Sequence, residues 1–134
     1  MQLGQLQQRQ SEFEELGFRV VGVCPDKPEL LAESTKKGKL EMPILSDSGM
    51  DAARGFGLAF RVDDELNERY RAYGIDLAKA SGKEHQQLPV PAVIIVDTDG
   101  KIAFQYVNPD YRVRPSSDLV LAAARDCARR AGAK

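Results

Sequence analysis

The chain has 134 residues, 43% of them apolar and 29% charged, with a formal net charge of −1. That length suits one domain of ordinary size, and the balance suits a globular fold rather than a disordered one. Near-neutral charge leaves no electrostatic footprint for nucleic acid or an anionic membrane, and no apolar run approaches the roughly 20 residues that span a bilayer. The polar start MQLGQLQQRQ lacks the apolar centre of a signal peptide, so a cytoplasmic setting is expected.

Residues 3 to 16 pattern as one amphipathic helix, with Leu3, Leu6, Phe13 and Leu16 near helical spacing. Gly17 suits the left-handed position that closes it. The valine-rich run from Phe18 to Val23, bounded by Pro25, is too short for a helix and reads as a buried parallel strand. Asp26 and Glu29 make a capping-box-like start for a second helix, with Pro28 in its first turn and Gly38 as its stop. A short strand follows from Pro43 to Asp47, then a brief helix over 50–54 and a loop from Gly55 to Phe60 with inward aromatics.

Asp63 caps the next helix, in which Leu66, Tyr70 and Tyr73 share a core face and Gly74 is the end. Residues 75–88 have weak periodicity and read as a long surface loop. Ala92 to Val96 is a buried strand, Asp97 to Gly100 a turn, and Lys101 to Val107 an antiparallel return. Ser116 or Ser117 caps a last helix to about Arg130, with Val120, Ala123, Ala124 and Cys127 as its apolar stripe. This order implies an α/β fold, a mostly parallel sheet with helices on both faces, made mixed by the final hairpin.

Residues that carry chemistry are few. Cys24 and Cys127 are the only cysteines and His85 the only histidine, so no zinc or haem ligand set, no metal and no cofactor are expected. Cys24 sits at the carboxyl end of a parallel strand, where α/β folds gather ligand groups, and a following helix N-terminus would favour its thiolate. A small apolar residue in a strand-to-helix turn explains it as well. Cys127 reads as core, or alternatively as a resolving thiol. His85, in a polar loop, reads as a surface base or as a solvated loop residue. Asp26, Asp47, Asp97 and Asp99 could form a receiver-type acidic site, though capping and turn chemistry account for Asp26, Asp97 and Asp99. Arg112 and Arg114 could hold an anion or simply lie in solvent.

Four segments carry a family resemblance: VVGVCPDKPELL at 20–31, PILSD at 43–47, LPVPAVIIVDTDGKI at 88–102 and NPDYRVR at 108–114. In this order and spacing they resemble the peroxiredoxin-like redoxins, the alkyl hydroperoxide reductase/thiol-specific antioxidant family. The resemblance implies a single thioredoxin-like domain over 1–134, a three-layer α/β/α arrangement with a mixed sheet. It also implies that Val90–Pro91 is a cis bond lining a substrate groove, and that the substrate class is a thiol or peroxide.

The departures define the rest of the expectation. In such proteins an apolar strand precedes the first helix, whose N-terminus carries the catalytic cysteine. Here neither C-x-x-C nor P-x-x-x-T-x-x-C occurs. The reading is therefore an N-terminally truncated redoxin whose first central strand is absent, inactive as this chain. Its alternatives are a non-catalytic interaction module or a single-cysteine redox sensor through Cys24. A central strand buries four or five large side chains at about 1.5–3 kcal/mol each, on the order of 10 kcal/mol. Without it, a homodimer or an exchanged element is expected.

Overall fold

The computed structural model describes residues 2–132. In chain order the elements are α1 (Gln2–Gln8), α2 (Gln10–Glu15), β1 (Gly22–Cys24), α3 (Pro28–Gly38), β2 (Ile44–Ser46), α4 (Asp51–Gly55), β3 (Ala59–Arg61), α5 (Asp64–Ala72), α6 (Leu77–Ser81), β4 (Gln87–Pro89), β5 (Ala92–Val96), β6 (Ile102–Val107) and α7 (Ser117–Gly132). They divide into two compact units, one made of the chain up to Val20 and from Pro91 onward, the other of Val21–Val90. The mixed α/β class read from the sequence holds. The strands form three two-stranded sheets: β1 beside β2 in parallel, β3 beside β4 and β5 beside β6 antiparallel.

In the first unit, α7 packs on α1, α2 and β6. Its core is Leu6, Phe13, Ile95, Val120, Leu121, Ala124 and Cys127. The single helix expected over 3–16 is instead two, broken at Arg9, where the backbone turns to φ −110, ψ 13. The Arg9 guanidinium holds Glu12 at 2.9 Å and also pairs with Asp118 on α7. Gly17 takes the left-handed φ of +86 expected of it. The β5–β6 hairpin turns at Asp97–Gly100, with Gly100 at φ +81 and Asp99 accepting from the Lys101 amide at 3.0 Å. A bulge between Ile95 and Val96 makes Ala103 the extra residue of β6. Ser116 caps α7, its hydroxyl accepting from the Leu119 amide at 3.2 Å.

In the second unit, α3 packs on β2, and Leu31, Met42, Met50, Ala53 and Val62 form the core. Lys27, not Asp26, is the N-cap of α3, and Pro28 takes the first helical position, where its missing N–H costs nothing. The left-handed residue that ends α3 is Lys39 rather than Gly38. Asp63 caps α5 through the Leu66 amide at 2.8 Å, and Gly74 closes it at φ +80. Tyr73 departs from the expected core face: lying just past the last helical residue, it is 83% exposed.

Two further expectations are corrected. The stretch 75–88 is not a structureless loop, because Asp76 caps α6 and Gln87–Pro89 forms β4. Its partner β3 arises from the end of what reads as the 55–60 loop. Three-residue strands are too short to show a period of two. The valine run also proves less buried than its composition implies, with Val23 58% exposed. Full burial needs cover on both faces and both edges, and β1 has a ladder partner on one edge only.

Candidate functional site

Cys24 is the last residue of β1 and is half-buried. The parallel ladder positions it: Cys24 lies opposite Ser46, and its carbonyl accepts from the Asp47 amide at 2.7 Å. The Ser46 hydroxyl then reaches across to the Asp26 carbonyl at 2.6 Å, which fixes the turn leading out of the strand. The Lys27 amide donates to the Ala80 carbonyl at 2.8 Å, anchoring the start of α3 to α6. Cys24 is thus held in a well-braced strand-to-helix turn.

The electrostatics of that turn work against a thiolate. Burial pushes the Cys24 thiol above its ordinary value, and the Asp26 carboxylate adds to the rise by like-charge repulsion and by accepting from the protonated form. The Asp26 backbone N–H pulls the other way, and loses. The helix-dipole help expected for Cys24 is weak for a visible reason. The helix starts only at Pro28, which has no N–H to offer, and its first turn carries Glu29. The sequence leaves Cys24 open between a reactive thiol and a small residue in the turn, and the raised thiol weighs against the first.

Cys127 is 5% exposed on the inner face of α7, and both cysteines are free. The Arg130 guanidinium lies 3.5 Å from the Cys127 sulfur. Cys24 and Val90 belong to one unit, whereas Cys127 and Pro91 belong to the other. The Val90 amide donates to the Leu58 carbonyl at 2.8 Å, extending the β3–β4 ladder by one bond. The Pro91 carbonyl accepts from the Asn108 amide at 3.4 Å, extending the β5–β6 ladder. No cis peptide bond occurs among the described residues, so the cis Val90–Pro91 expectation is corrected to trans. The trans form is the intrinsically favoured one by about 0.5–1 kcal/mol, and a proline at the start of a strand needs no other geometry.

Pro91 lies with Gln2, Val93, Tyr106, Val113 and Arg114 around a tight surface crevice with no room for a water molecule. There Arg114 donates to the Gln2 side-chain carbonyl at 3.2 Å, and the Gln2 amide nitrogen is buried with no hydrogen-bond partner among the described residues. Arg112 is engaged by Asp110, 2.9 Å away. The acidic residues are absorbed locally: Asp47 accepts from the Ala52 and Ala53 amides at 3.0 and 2.9 Å at the start of α4, and Asp97 accepts from the Thr98 amide at 2.7 Å. Among the described residues, no group of three or more His, Cys, Asp and Glu is placed to hold a metal ion, and no helix is long and apolar enough to cross a membrane.

Sequence reasoning missed His85. It is part-buried and uses both ring nitrogens, with Nε2 at 2.7 Å from the Ser48 carbonyl and Nδ1 accepting from the Gln87 amide at 3.0 Å. The polar company of residues 83–87 concealed this, since a bridge between distant loops has no local pattern.

Comparison with known proteins places these features. The AhpC/TSA family model matches residues 1–105. A protein of Mycobacterium tuberculosis (strain H37Rv) that carries the name peroxiredoxin is 33% identical over 97 residues, 72% of this chain and 51% of that protein. A Haemophilus influenzae protein of the same naming is 38% identical over 53 residues, 40% of this chain and 34% of that one. The chain thus spans about half, or less, of the length of these relatives. Among solved structures, the peroxidoxin BcpB of M. tuberculosis superposes with a TM-score of 0.67 at 18% identity, covering 93% of this chain and 68% of that one. The AhpC of Enterococcus faecalis gives 0.63 at 25% identity, covering 96% and 66%. The fold is that of these thioredoxin-like proteins.

Proposed function

The chain belongs to the AhpC/TSA family, and from that premise we propose that these residues are a redoxin scaffold which does not itself reduce peroxides or disulfides. Thiol-dependent peroxide reduction needs a thiolate that attacks the peroxide oxygen and becomes a sulfenic acid, and a second thiol to resolve it. What supports the reading is the setting of Cys24: burial first, and the Asp26 carboxylate with it, push its thiol above the ordinary value. Cys127 is sequestered in the core. A solitary redox sensor at Cys24 is disfavoured by the same argument.

The test is hydrogen peroxide consumption by the purified chain with dithiothreitol as reductant, run beside trapping of sulfenic acid with dimedone. The expected result is turnover no faster than the reductant alone and no adduct at Cys24. Turnover that disappears in Cys24→Ser would overturn the reading.

A second reading, an interaction module on the same scaffold, is supported by exposed apolar strand residues. Val23 is 58% and Leu45 55% exposed on the β1–β2 pair. A second copy of the chain is the proposed partner, in a cytoplasmic setting, with the open edge of β1 as the place of pairing. Light scattering across micromolar concentrations tests it: a dimer is expected, and a monomer throughout sinks it.

A further inference from the structure

The loop from Asp47 to Met50 and the start of β4 are joined through one imidazole ring. The Ser48 carbonyl can only accept, so Nε2 of His85 carries the proton in the 2.7 Å contact. The Gln87 amide can only donate, so Nδ1 offers its lone pair across 3.0 Å. Together the two bonds demand the neutral Nε2–H tautomer. Both ends of the bridge hold a non-glycine residue in the left-handed region, Met50 at φ +64 and Gln86 at φ +52, conformations that persist only where neighbours enforce them. Gln86 is held by Val62, whose amide donates to its carbonyl at 2.7 Å and whose carbonyl accepts from its side chain at 3.0 Å. Met50 is fully buried.

We propose that His85 is a proton-operated latch: a proton taken from solvent onto Nδ1 sets two N–H groups against each other, and the Gln87–Val90 segment parts from the Asp47–Met50 loop. The charged residues on the elements around the bridge are Asp47 and Asp51 on the loop side, Lys83 and Glu84 just before the ring in the chain, Arg54 on α4, and Asp64, which accepts from the Gln86 side chain at 3.0 Å and pairs with Arg61. Arg54 also spans the same gap, donating to the Gly49 carbonyl at 2.7 Å and to the Gln87 side chain at 3.2 Å, so the opened segment stays tethered. The moving segment leads straight into Val90, whose N–H donates to the Leu58 carbonyl at the end of the β3–β4 ladder.

Hydrogen–deuterium exchange of the full chain at pH 8 and pH 5, corrected for intrinsic rates, tests this, because imidazole gains its proton across that window. Amides of Gln87, Leu88 and Val90 are expected to lose protection at least about fivefold at pH 5, while those of α7 keep theirs. In His85→Asn the side-chain oxygen still accepts from Gln87 and does not titrate, so protection should be equal at the two pH values. Undiminished wild-type protection at pH 5, or an equal loss in His85→Asn, would overturn the latch. Should that variant not fold, amide and ring NMR titrations of the wild type decide: the Gln87 amide must shift with the midpoint of the His85 ring, and a different midpoint refutes the coupling.

Discussion

Truncating Leu121 to alanine is the sharpest test of how α7 is seated. Leu121 is 1% exposed, whereas Leu119, two positions earlier on the same helix, is 46% exposed. Removing a fully buried leucine side chain costs the transfer energy of the lost methyls plus that of the cavity, about 2–5 kcal/mol in total. The same change at Leu119 falls within about 0.5 kcal/mol, because alanine has slightly better helix propensity and little packing is lost. With a urea slope of roughly 1.5 kcal/mol per molar, a loss of about 3 kcal/mol moves the midpoint down by about 2 M. Circular dichroism in urea reads both variants. Equal midpoints for Leu121→Ala and Leu119→Ala would refute the placement of the helix.

Other expectations follow from single contacts. Asp63→Ala removes the acceptor for the Leu66 amide and should cost about 1 kcal/mol, read as a lower urea midpoint, with Asp63→Asn recovering most of it. Glu12, Asp110 and Asp126 are held below their ordinary values, first by hydrogen bonds from Arg9, Arg112 and Arg129 respectively. Depressed folded values mean that their contribution is present above the ordinary 4.5 and 3.8 and is lost as pH falls through the lower folded ones. Thermal melts should therefore fall on acidification below about pH 4.5. Glu12→Gln should flatten part of that fall, and molar salt should shrink the effect, since all three carboxylates are partly exposed. A melting temperature unchanged from pH 5 to pH 2.5 would contradict these pairings.

Where the chain's local chemistry and its fold agree, the sequence was legible. Ala92–Val96, the Asp97–Gly100 turn, the Asp63 cap and the glycine ends at Gly17 and Gly74 all follow from residue-level rules. Leu121, by contrast, lies off the stripe drawn through Val120, Ala123, Ala124 and Cys127, and only the packing of α1, α2 and β6 around α7 decides which leucine is inside. The break at Arg9 is likewise invisible in periodicity, and the Arg9 side chain there pairs with Asp118, more than a hundred residues away. Strands β3 and β4 are stabilised by each other rather than by their composition, and the Val90–Pro91 geometry was inferred from resemblance instead of from the residues. At the candidate site, the position of Cys24 could be read, but its electrostatics could not. They depend on helix α3 starting one residue later than the Asp26 cap implied, which leaves the Asp26 carboxylate near the thiol instead of engaged with the helix.

The rate of alkylation of Cys24 by iodoacetamide, followed from pH 6 to pH 10 by mass spectrometry, bears most directly on the scaffold reading. Slow labelling at pH 7 relative to the urea-unfolded chain is expected, rising only above the ordinary thiol range, with Asp26→Asn labelling several-fold faster at pH 8 once the like charge is gone. Labelling at pH 7 faster in the folded chain than in the unfolded one would mean that Cys24 is an activated thiolate, and the scaffold account would be wrong.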